Sequence, residues 1–77
     1  MNVTISLGDY IEGTETVGPN KTPRKVRGWV YDTVYDTDTK NILGYYVRAD
    51  DSFNGARGTN IYFKNGDIIK LPHKEQP

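Results

Sequence analysis

Short runs of valine, isoleucine, threonine and tyrosine, broken at brief intervals by glycine, proline, asparagine or aspartate, fill this chain from end to end. Six tyrosines and eight glycines stand against very few leucines, methionines and alanines. β-Branched and aromatic side chains suit a pleated, half-buried surface, and the straight-chain helix formers are scarce. The pattern excludes an all-helical protein and predicts an all-β one.

Val3, Ile5 and Leu7 alternate with Thr4 and Ser6, the two-residue period of a strand with one buried face. Gly8-Asp9 interrupts it, and Tyr10-Ile11-Glu12 can resume an extended path. Two prolines, two glycines and an asparagine within residues 13–23 predict a long loop there. Residues 24–35 form the longest candidate strand. Val26, Gly28, Val30 and Val34 fall on one of its faces and Arg27, Trp29, Tyr31 and Tyr35 on the other, with Gly28 as a place to bend. Residues 36–41 have hairpin-loop composition. Residues 42–49 read as a returning strand with Leu43, Tyr45, Val47 and Ala49 on one face. A polar, glycine-bearing loop follows over 50–58. The last two runs, 60–63 and 68–71, flank Asn65-Gly66, the pair that most strongly predicts a hairpin.

About five short strands in a meander must hide their edges, and a small SH3-like barrel is the most compact way to do so. The expected organisation is one barrel domain over 1–72 and a flexible tail over 73–77, with Pro72 ending the last strand. A 77-residue chain buries only roughly 60% of its unfolded surface. Homo-oligomerisation is one way such a chain adds buried area.

Several kinds of chemistry are excluded outright. Without cysteine there is no disulfide, thiolate metal site or cysteine nucleophile. The single histidine, His73, lies in the tail with no second histidine to join it in a triad or metal site. Asp36-Thr37-Asp38 opens like a calcium loop, but Lys40 takes the third ligand slot and Val47 the twelfth, so no metal is expected. No apolar run approaches the roughly 20 residues that span a bilayer. The N-terminus shows no signal-peptide pattern, so no membrane partner and a cytoplasmic location are expected.

Ten acidic residues balance ten basic ones, which removes any global electrostatic pull toward nucleic acid. Local clustering remains. Lys21, Arg24, Lys25 and Arg27 place four positive charges within seven residues, running into Trp29 and Tyr31. Cations interleaved with aromatic rings serve single-stranded nucleic acid, charge for phosphates and rings for bases. The same strip can receive a proline-rich or other extended peptide. The competing reading is that Trp29 closes the core while the cations flank a loop. Arg57, between Gly55 and Gly58, is the best anion-binding candidate, because glycines open backbone N–H groups to an anion and arginine adds a fork of donors.

Three segments, Gly28-Trp29-Val30, Gly44-Tyr45-Tyr46-Val47 and Asn60-Ile61-Tyr62, follow one another in the order and near the spacing of matching pieces in type B (plasmid-borne) dihydrofolate reductases. The chain resembles that family of small SH3-like barrels over about two thirds of its length. The resemblance implies a homotetramer whose central pore holds NADPH and dihydrofolate, lined by a Val-Gln-Ile-Tyr tetrapeptide from each subunit. Here Ile61 and Tyr62 match, Asn60 stands for the glutamine and Thr59 for the valine. Glu12 stands near where the family carries lysines, and Asn65-Gly66 replaces its final turn.

These features favour a small non-enzymatic SH3-like binding module, of the kind found as bacterial or phage accessory proteins. Its partner is expected to be a protein or peptide first and a single-stranded nucleic acid second. The candidate site is Arg24, Lys25, Arg27, Trp29, Tyr31 and Arg57, with Asn60 and Tyr62 added by the resemblance. No cofactor is called for; NADPH enters only with the alternative, a tetrameric dihydrofolate reductase.

Overall fold

The computed structural model describes residues 4–50 and 60–76. Five antiparallel strands make one sheet: β1 (Tyr10–Val17), β2 (Thr22–Tyr35), β3 (Ile42–Ala49), β4 (Asn60–Lys64) and β5 (Ile68–Lys70). Their order across the sheet is β4-β3-β2-β1-β5. No helix occurs among the described residues. The sheet does not close, since β4 and β5 form its two ends with no ladder between them.

β2 is the axis of the fold. Its first half pairs with β1, from Thr22 opposite Val17 to Trp29 opposite Tyr10. Its second half pairs with β3, from Gly28 opposite Ala49 to Tyr35 opposite Ile42. Sharing one long strand between two neighbours bends the sheet around an inner face. Ile11, Val26, Val30, Tyr45, Val47, Ala49 and Phe63 fill that face, and Ile5, Ile42, Ile61 and Ile68 pack at its margin. The curl brings the ring of Phe63 on β4 against Gly13 on β1, where an added Cβ would lie 2.7 Å from the ring.

Three sequence expectations change. Residues 4–9 hold no strand; Gly8 donates its N–H to the Val30 carbonyl instead, and Asp9 accepts from the Val30 N–H. The span 13–23, expected as loop, is mostly strand. Its Thr14-Glu15-Thr16 stretch alternates as a strand should, Gly13 is a packing glycine, and the turn is confined to 18–21, closed by Lys21 N–H to Gly18 O. Pro23 is tolerated because, among the described residues, β2 there pairs on one side only.

The Asn65-Gly66 pair makes a turn but no hairpin. Asp67 N–H donates to Lys64 O and Gly66 has φ +100°, but Asn65 is not among the positive-φ residues. One positive φ at the second central position is the type II pattern, whose twist splays strands instead of pairing them. β4 accordingly stays with β3 while β5 crosses to β1.

Candidate functional site

A bulge in β2 sets the outer face of the sheet. Val30 pairs with Val47 and Asp32 with Tyr46, leaving Tyr31 as the extra residue between them. Such an insertion bends a strand and re-aims side chains. Tyr31 and Asp32 are consequently both exposed, and the alternation reverses beyond them. Thr33 pairs with core Tyr45, and Val34 pairs with Gly44 rather than continuing the Val26–Val30 face.

Tyr31 then meets Tyr46 of β3, with ring centroids 6.0 Å apart, and Tyr46 meets Tyr62 of β4 at 5.3 Å. The three rings form a row across the strands, 47%, 39% and 41% exposed. Tyr62 lies across Gly44, whose missing side chain makes room for its hydroxyl end. Arg48, opposite Trp29 on one side and Asn60 on the other, continues the same face, as does Lys64 beyond Tyr62. The basic–aromatic strip singled out Tyr31, and the family resemblance added Asn60 and Tyr62, but Tyr46 and Arg48 were missed. The signal was there: Gly44, Tyr46 and Arg48 alternate with the core residues of β3.

The basic half of the expected strip is compensated. Arg27 Nε donates to Glu12 Oε2 at 2.9 Å, and Lys25 Nζ lies 3.3 Å from Glu12 Oε1. Arg24 pairs with Glu15 at 2.8 Å. Each glutamate sits on β1 facing the cations across the ladder. The hydrogen bond from Arg27, with help from Lys25, holds the Glu12 carboxyl below its usual range.

Trp29 does not share an accessible surface with Arg27 and Tyr31. It is 3% exposed, its ring is tilted against that of Tyr10 with centroids 5.2 Å apart, and its indole N–H donates to the Lys74 carbonyl at 2.6 Å. The segment expected as a flexible tail thus lies over Trp29. Lys74 Nζ reaches Asp50 Oδ2 at 2.7 Å, and the Tyr10 hydroxyl donates to that oxygen at 2.6 Å. Burial, followed by the hydrogen bond to Asp50, pushes the Tyr10 phenol up to about 12. Burial also raises Tyr45.

Arg57, with the rest of residues 51–59, lies outside the described residues, and so does most of the loop expected over 50–58. Among the described residues no group of three metal-ligating side chains occurs. Asp36, first residue of the calcium-like stretch, accepts from the backbone N–H groups of Asp38 and Thr39, which lowers its pKa. No helix among the described residues is long and apolar enough to cross a membrane. No known protein family, curated protein or solved structure matches this chain.

Proposed function

We propose that the chain is a non-enzymatic binding module of the SH3-like barrel type, and that it receives an extended peptide across the row Tyr31–Tyr46–Tyr62. The shared, bent β2 and the contact of Phe63 with Gly13 support the barrel reading. The carrying observation for function is the row itself: three exposed rings in mutual contact on three paired strands. Tyrosine offers a wide apolar face and a polar tip at little entropic cost, because only two side-chain torsions need to be fixed. A polyproline-type peptide is already extended and docks on aromatic-lined surfaces of this kind. Arg48, Asn60 and Lys64 supply donors beside the rings.

Peptide is favoured over nucleic acid because Glu12 and Glu15 already meet Arg24, Lys25 and Arg27. Phosphate binding draws its energy from cations that release counterions, and paired cations release few. Calorimetric titration with a proline-rich peptide of about ten residues should give saturable binding, weakened about tenfold or more by Tyr46→Ala. A short oligothymidylate that binds more tightly, with an affinity falling steeply in salt, would transfer the reading to nucleic acid.

The reductase alternative keeps one supporting placement. Asn60 and Tyr62 project from the same face of β4, an end strand where four copies could bring them around a shared pore. That reading requires a tetramer. Light scattering that returns a monomer removes it, and a tetramer calls for an NADPH oxidation assay.

A further inference from the structure

The Tyr10–Trp29–Asp50 cluster has a chemistry of its own, distinct from the tyrosine row. Tyr10 and Trp29 sit opposite each other in the β1–β2 ladder, with their rings in contact on the outer side. Asp50, just past β3, is only 2% exposed. A carboxylate so removed from water is stable only beside donors and a counter-charge. Here the Tyr10 hydroxyl and the Lys74 ammonium both converge on Oδ2. The ammonium also lies 5.3 Å from the Tyr10 ring centroid and 5.9 Å from that of Trp29, within the roughly 6 Å over which a ring face attracts a cation. Two rings and a buried carboxylate are what recognition of an alkylammonium requires.

The occupant is held differently from its pocket. The two rings belong to laddered strands and Asp50 is tied to β2 by its N–H on the Arg27 carbonyl, whereas residues 71–76 form no strand and are exposed beyond Leu71. A segment of that kind opens locally at far less cost than a sheet. The grip is also on a polypeptide, since the Trp29 indole N–H takes the Lys74 main-chain carbonyl while the side chain reaches the carboxylate.

We infer that this pocket is a binding site for a lysine side chain of a partner polypeptide, and that Lys74 is the built-in occupant the partner displaces. An incoming lysine replaces the ion pair with Asp50 that Lys74 makes in the native chain. The native chain binds such a partner only through the fraction of molecules whose tail is released. The inference stands apart from the peptide reading of the tyrosine row, because its test uses no proline-rich ligand.

The test uses the full chain carrying Lys74→Ala, with Trp29 fluorescence as readout and three probes: Nα-acetyl-lysine N-methylamide, n-butylammonium and n-butanol. The lysine derivative should bind Lys74→Ala at least about tenfold more tightly than the native chain. It should also outbind n-butylammonium, and n-butanol should give no comparable response. Adding Asp50→Asn should abolish the response. If Lys74→Ala is too unstable to titrate, the lysine derivative should raise its melting temperature and n-butanol should not. Equal responses of native and variant chains would overturn the inference, as would equal effects of lysine derivative and alcohol. Response to n-butylammonium alone would overturn the polypeptide source.

Discussion

Gly44 shapes the tyrosine surface by what it lacks. A Cβ there would run into the Tyr62 hydroxyl end and the Phe63 carbonyl. Gly44→Ala should therefore lift Tyr62 out of line while leaving all three rings in the sequence. The expected outcome is several-fold weaker peptide binding and a stability loss of about 1–3 kcal/mol, the usual range for overpacking, read from calorimetry and urea unfolding. Unchanged affinity would mean that the row need not be aligned. Tyr10 makes a second residue-scale prediction. Its folded pKa of about 12 lies above its ordinary value of 10.0, so the folded state keeps its proton where the unfolded chain releases it. Its contribution is complete below about pH 10 and is lost as pH rises toward 12. Tyr10→Phe should flatten that alkaline fall in the urea midpoint, leaving a remainder from Tyr45, which burial also raises. An identical alkaline slope in native and Tyr10→Phe chains would contradict the account.

At the scale of elements, the β1–β2 ladder has its own acid dependence. Glu12 accepts from Arg27 and lies beside Lys25, and its carboxyl is held below the ordinary value of 4.5. Its contribution is present above that ordinary value and disappears as pH falls through the lower, folded one. Glu12→Gln should blunt the acid-side loss of stability, with a correspondingly modest effect at neutral pH because the cationic partners Lys25 and Arg27 stay in contact with water. A pH scan of thermal unfolding checks both. The same ladder shows why part of the fold was hard to read in advance. Residues 42–49 were largely legible because Tyr45, Val47 and Ala49 alternate into the core, but Leu43, expected on that face, is exposed where the β2–β3 register shifts beside Val34 and Tyr35. Residues 13–23 were not, because Gly13 and Pro23 read as punctuation while serving inside strands. Asn65-Gly66 disclosed a turn but not the partner of either flanking strand, since pairing depends on the twist the turn imposes.

Across the whole molecule, one bent sheet separates two surfaces of different character. The inner surface is aliphatic with two aromatic side chains, Tyr45 and Phe63, and the outer one carries the tyrosine row beside the Trp29 cluster. Part of that outer face could be foreseen, Tyr31 from the basic–aromatic strip and Tyr62 from the family resemblance. The rest required the Tyr31 bulge and the register of β3, which bring residues from three strands into one row and which no local pattern announces. Trp29 stood out equally, yet the chain's own tail covers it, a long-range contact that is invisible in sequence. The most direct test is to map backbone amide shifts of the native chain during titration with the proline-rich peptide. Shifts should concentrate at Tyr31, Tyr46, Arg48, Asn60 and Tyr62 and vanish in Tyr46→Ala. Shifts centred on β1 and β5 instead, or none at saturating peptide, would contradict the assignment of this face.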